Sequence, residues 1–105
     1  MRFGLKEETI EKINSVLSKF PEVEKAILYG SRAKGNFKRG SDIDLTLTGS
    51  GLTHQALLRI DNELDDLLLP YHIDLSILEN ISNPDLIEHI ERVGVVFYER
   101  MRGAA

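Results

Sequence analysis

Tyr29-Gly30-Ser31-Arg32-Ala33-Lys34-Gly35-Asn36-Phe37-Lys38-Arg39-Gly40-Ser41-Asp42-Ile43-Asp44 is the stretch that decides how this 105-residue chain folds. The run Ala26-Ile27-Leu28-Tyr29 before it is continuously apolar, which suits a central strand spanning Val23 to Tyr29. After it, Asp42 to Thr48 alternates. Ile43, Leu45 and Leu47 fall on one face, and Asp42, Asp44, Thr46 and Thr48 on the other. Residues i and i+2 of a strand point the same way, so Asp42 and Asp44 are expected to share a face. Two like charges placed side by side are unfavourable unless a cation lies between them. The segment joining the two strands holds Gly35 and Gly40, with Arg32, Lys34, Lys38 and Arg39 and no acidic residue between them.

Upstream, Ile10, Ile13, Val16, Leu17 and Phe20 recur at helical spacing, with Glu7, Glu8, Glu11 and Lys12 on the wet side. Pro21 stops that helix. Downstream, Gly49-Ser50-Gly51 is a turn, and Thr53 can cap a second helix whose stripe is Leu57, Ile60, Leu64, Leu67 and Leu68. Pro70 ends it. A third strand is expected from His72 to Leu78, with Ile73, Leu75 and Ile77 inward and His72, Asp74 and Ser76 opposite. Asn83-Pro84-Asp85 starts a third helix, carrying Leu86, Ile87, Ile90 and Val93 and closed by Gly94. Val95 to Tyr98 then forms a fourth strand, followed by a tail of charged and small residues. The expectation is an α/β (α+β) domain: a small mixed sheet of about four strands covered by helices, in a single unit over residues 1–105. Strand order and direction are not set by the pattern.

Composition narrows the function classes. With no cysteine, neither disulfides nor thiolate metal sites operate. No apolar run approaches the ~20 residues of a membrane span, and the N-terminus is charged too early for a secretory signal, so a cytoplasmic protein is expected. The net charge of −4 argues against binding a nucleic-acid duplex, whose phosphates are met by a basic surface. Four of the 13 Lys and Arg nevertheless fall between Arg32 and Arg39. That is a local anion site on an acidic protein, of a size for a triphosphate.

Transfer from a nucleotide needs several carboxylates on one rigid surface to hold metal ions, and donors and cations to hold the phosphates. Asp42 and Asp44 supply two carboxylates, and Asp74 a third if its strand lies beside theirs. Gly-Ser, ten residues, then Asp-x-Asp resembles the motif of the DNA polymerase beta-like nucleotidyltransferases. The short chain resembles their minimal (MNT) branch, commonly paired with a helical HEPN protein. The resemblance implies a palm-like fold and two Mg²⁺ ions held by Asp42, Asp44 and Asp74. It further implies that Asp74 assists deprotonation of the attacking hydroxyl and that Gly30, Ser31, Arg32 and Ser41 bind the nucleotide. His54, His72 and His89 lack metal-ligand spacing and are read as surface or packing residues, with His72 expected on the Asp74 side.

Almost the whole chain is used by such a core, leaving no segment to recognise an acceptor. The resemblance therefore implies transfer of AMP from ATP to a HEPN-type partner, the chain acting as its antitoxin within a hetero-oligomer. Two other readings stay open: a non-catalytic module that neutralises its partner by binding, and a transferase acting on a small molecule.

Overall fold

The structure is a computed structural model that describes residues 1–101; the expected C-terminal tail beyond that point lies outside the described residues. In chain order the elements are α1 (Glu7–Ser18), β1 (Lys25–Tyr29), α2 (Ser31–Lys34), β2 (Ile43–Thr48), α3 (His54–Asp65), β3 (Ile73–Ile77), α4 (Pro84–Val93) and β4 (Val95–Glu99). A single 3₁₀ turn, Leu78–Asn80, follows β3. The sheet is mixed and ordered β3-β2-β1-β4. β1 pairs antiparallel with both β2 and β4, while β2 and β3 run parallel.

The alternation in β2 works as expected. Ile43, Leu45 and Leu47 are fully buried and face α1 and α3, joining Ile10, Ile13, Leu17, Ala26, Leu28 and Ile60 in one core. Burying aliphatic side chains of this size stabilises the fold by roughly 1.5–3 kcal/mol each. The opposite face pairs Tyr29 with Asp44 and Ile27 with Thr46. There α4 packs against β1, with Ile90 buried. The core thus lies on one side of the sheet, and the other carries the single helix α4 against β1 and is open over β2 and β3.

Two helix starts follow the side chains that precede them. Thr53 Oγ1 accepts from the Ala56 N–H, and Asn83 Oδ1 accepts from the Asp85 and Leu86 N–H groups. Pro84 at the first turn loses nothing by lacking its own N–H.

The end of α3 departs from expectation. Leu67 and Leu68 are expected on its buried stripe, but the helix stops at Asp65; Leu67 still packs, partly buried, against the core. The Leu67 and Leu68 N–H groups close tighter turns onto the Leu64 and Asp65 carbonyls. Leu68 then turns left-handed at φ 54° and stands 88% exposed. With Pro70 two residues on, the chain has to leave the helix here to reach β3. The segment after Gly30, read from sequence as loop throughout, begins with the single helical turn α2.

Candidate active site

Asp44 sits in the middle of the open side of the sheet. It lies across from Tyr29 on β1 and from Asp74 on β3, its direct partner in the parallel register. The condition set by the sequence, that the third strand lie beside the second, is met. Asp42 immediately precedes β2 and is exposed, as is Asp74. Asp44 is half-buried, and this is the first cause that lifts its carboxyl above the ordinary range. The charges of Asp74 and then Asp42 lift it further, while His72 and His89 pull it down. Among the described residues, none of these three carboxylates accepts a hydrogen bond or forms a salt bridge.

The floor beside them is hydroxylic. Ser76 Oγ donates to the buried Thr46 Oγ1 at 2.9 Å. Partial burial raises the Tyr29 phenol; Ser76 opposes this, and Asp74 and Asp44 add to it. A further carboxyl outside the motif, Asp61 on α3, is raised by burial and by Asp65, and is also touched by the charges of His72 and Asp74.

Gly30 closes the patch on the β1 side. Its φ of 75° and ψ of −157° lie in a region that only glycine occupies readily. A Cβ there would collide with Asp44 Oδ2, so the residue is glycine both for its backbone and for this approach. Its N–H donates to His89 Nε2 at 3.1 Å. The His89 ring also meets Tyr29 edge-on, with centroids 6.2 Å apart. Nothing in the sequence pointed to His89, which lies on α4, 59 residues from Gly30. Only the packing of α4 over β1 brings it in. Ser31 is the first residue of α2 and half-buried.

Arg32 and Ser41 are both engaged within the loop. The Arg32 side chain is 3% exposed. Its Nε and Nη2 both donate to the Ser41 carbonyl, at 3.0 and 2.8 Å, and Nη1 donates to the Phe3 carbonyl at 2.8 Å. Ser41 Oγ accepts from the Lys38 N–H, and the Ser41 N–H donates to the Lys38 carbonyl. Both residues thus stitch the loop together from within. The exposed cations of the loop are Lys34, Lys38 and Arg39, none of them in a salt bridge among the described residues.

The donor set is all oxygen and all carboxylate, which suits a hard divalent cation such as Mg²⁺. An uncompensated, half-buried Asp44 beside Asp74 and Asp42 fits such an ion. The patch is not a closed cage, however: among the described residues no three acidic, histidine or cysteine side chains converge tightly enough to hold a metal as placed. An apolar groove of about 480 Å³ lined by Ile27, Ile81, Ile87, Ile90 and Val96 shares no residue with the patch.

A family model, Polymerase beta, Nucleotidyltransferase, matches residues 11–103. The chain belongs to this nucleotidyltransferase family. Among solved structures it is similar to a chain of a toxin–antitoxin complex with AMP-PNP, at 24% identity and a TM-score of 0.68 over 93% of this chain and 77% of that one. It is likewise similar to a chain of the complex between tri-AMPylated Shewanella oneidensis HEPN toxin and MNT antitoxin. There identity is 20% and the TM-score 0.67, over 91% of this chain and 74% of the other. At these identities the likeness shows the fold. No curated protein matches. Among the described residues no helix is long and apolar enough to cross a membrane.

Proposed function

We propose that this nucleotidyltransferase transfers AMP from ATP to a hydroxyl of a HEPN-type partner protein, using Asp42, Asp44 and Asp74. The observation that carries the reading is the in-register pair Asp44–Asp74 standing against Gly30 on the open side of the sheet. The partner is suggested by the similarity to chains of toxin–antitoxin complexes, one with an AMPylated HEPN toxin.

Asp42, Asp44 and Asp74 would hold two Mg²⁺ ions, which when bound lower the pKa of the attacking hydroxyl and stabilise the departing charge. The acceptor oxygen attacks the α-phosphorus in line, and the bond from that phosphorus to the bridging oxygen breaks. Pyrophosphate leaves with the electron pair, and Asp74, the exposed carboxylate, takes the hydroxyl proton. Gly30 and Ser31 border the phosphates where the chain turns away from β1. Since Arg32 is buried, Lys34, Lys38 and Arg39 are the cations of the loop free to meet the triphosphate.

Incubating the chain and its HEPN-type partner with ATP labelled at the α-phosphate and Mg²⁺ tests this. Label is expected on the partner, and Asp42→Ala/Asp44→Ala is expected to abolish it. Label that never reaches the partner, or that reaches it equally with the double variant, removes the reading. One observation favours a second reading, a module that silences its partner by covering it: the carboxylates do not form a ready cage. Under that reading the double variant would still neutralise the partner.

A further inference from the structure

We propose that Arg32, together with the turn Met1–Leu5, is a positioning device for the carboxylates, acting through the chain and not on the nucleotide. The proposal rests on the functional reading above. It begins with the N-terminal turn, where Arg2 and Leu5 exchange backbone hydrogen bonds at 3.1 and 2.8 Å. Between them Phe3 and Gly4 are both left-handed, at φ 58° and 72°. A phenylalanine resists that conformation, so the turn is held by what surrounds it. Leu5 is fully buried in the core, and the Phe3 carbonyl is met by Arg32 Nη1 at 2.8 Å.

The same guanidinium bonds the Ser41 carbonyl through two nitrogens. It also lies over two aromatic rings, its central carbon 5.3 Å from the Phe37 ring centroid and 4.8 Å from that of Tyr71. One planar group therefore joins the N-terminal turn, α2, the glycine-containing loop and the lead-in to β3. Ser41 precedes Asp42, and Tyr71 precedes His72, whose carbonyl accepts from the Ile43 N–H at 2.9 Å as the parallel pairing begins. Arg32 is thus fixed where the two segments bearing Asp42 and Asp74 start to pair. Among the described residues it forms no salt bridge, so its charge is met by carbonyl dipoles and ring faces and leaves the carboxylate patch unneutralised. A lysine keeps the charge but has neither the fork nor the flat faces.

Two variants and two readouts test it. Arg32→Lys removes the fork. Gly4→Val acts from the turn, because a Cβ at Gly4 would collide with the Phe37 ring and come 3.0 Å from Arg32 Nη1. Mn²⁺ binding in the presence of ATP, followed by electron paramagnetic resonance, is measured beside steady-state transfer. Folded protein of each variant is expected to bind Mn²⁺ about tenfold or more weakly. It is expected to lose about a hundredfold in kcat, with little change in the KM for ATP. Wild-type Mn²⁺ affinity and kcat in both variants, whatever their melting temperatures, would overturn the proposal. So would a defect in Arg32→Lys confined to the KM for ATP, with Gly4→Val unaffected, since that marks a phosphate contact. If Arg32→Lys does not fold, Gly4→Val decides by the same criteria. Wild-type protein that binds no Mn²⁺ at all overturns the metal reading, and the proposal with it.

Discussion

Gly30 and Asp44 touch across the β1–β2 pair so closely that a single added methyl on the glycine would overlap the carboxylate oxygen. The loop that follows β1 and the acid at the centre of the patch are therefore one packed unit. Gly30→Ala is expected to destabilise the protein by about 1–3 kcal/mol through backbone strain alone. Because the methyl also displaces Asp44, AMP transfer should fall more than stability does. A thermal melt alongside the transfer assay checks this: a variant with wild-type activity would mean that Asp44 need not stay where it is.

Asp44→Asn should make the protein more stable near neutral pH while removing activity. The folded-state pKa of Asp44 is raised, so the folded form binds its proton more tightly than the unfolded chain does. Stability from this group is present at acidic pH and is lost as pH rises through the window between the unfolded and the folded values. The variant, which carries no charge, should melt above the wild type at pH 7 and match it in acid. Melting curves across that pH range decide it, each 1 kcal/mol being roughly 4–8 °C for a domain of about this size.

Mg²⁺ should raise the melting temperature of the wild type, because an ion bound only by the folded form stabilises it by mass action. In Asp42→Ala/Asp44→Ala the increment should vanish. An equal increment in both proteins would place the ion elsewhere.

His89→Phe keeps a ring against Tyr29 but removes the acceptor for the Gly30 N–H. A part-buried amide left without a partner costs about 1–3 kcal/mol. Hydrogen exchange at the Gly30 amide is expected to speed up in the variant, with His89→Gln, which retains an acceptor, restoring much of the protection. Unchanged exchange in His89→Phe would show that α4 does not hold this loop.

Thr53→Ala tests the scaffold apart from the site. Losing the bond to the Ala56 N–H should cost about 1 kcal/mol, with transfer activity intact at temperatures well below the melt.

The motif and the four strands were legible because both are short-range. Alternation in Asp42–Thr48 fixes which side chains share a face whatever the rest of the chain does, and the prolines and glycines punctuate the elements. The end of α3 was not legible, because Leu67 and Leu68 continue the apolar spacing. Only the need to leave the helix ahead of Pro70 and go on to β3 turns the chain there. The burial of Arg32 was not legible for a related reason. An arginine beside Gly-Ser in a basic loop reads as a phosphate ligand, and its burial depends on Phe3 and Tyr71, which are remote in sequence.

By itself the sequence determined the family motif, the covered and open faces of β2, and the supply of three carboxylates with a flexible cationic loop. These follow from residue type and a two-residue period, which act within a few positions. Tertiary structure alone decided that β3 lies parallel beside β2 so that Asp74 meets Asp44, that His89 reaches Gly30, and that Arg32 faces inward. Each of these joins residues about 30 or more positions apart. Such contacts are set by how helices and strands pack around one core, which no local pattern specifies.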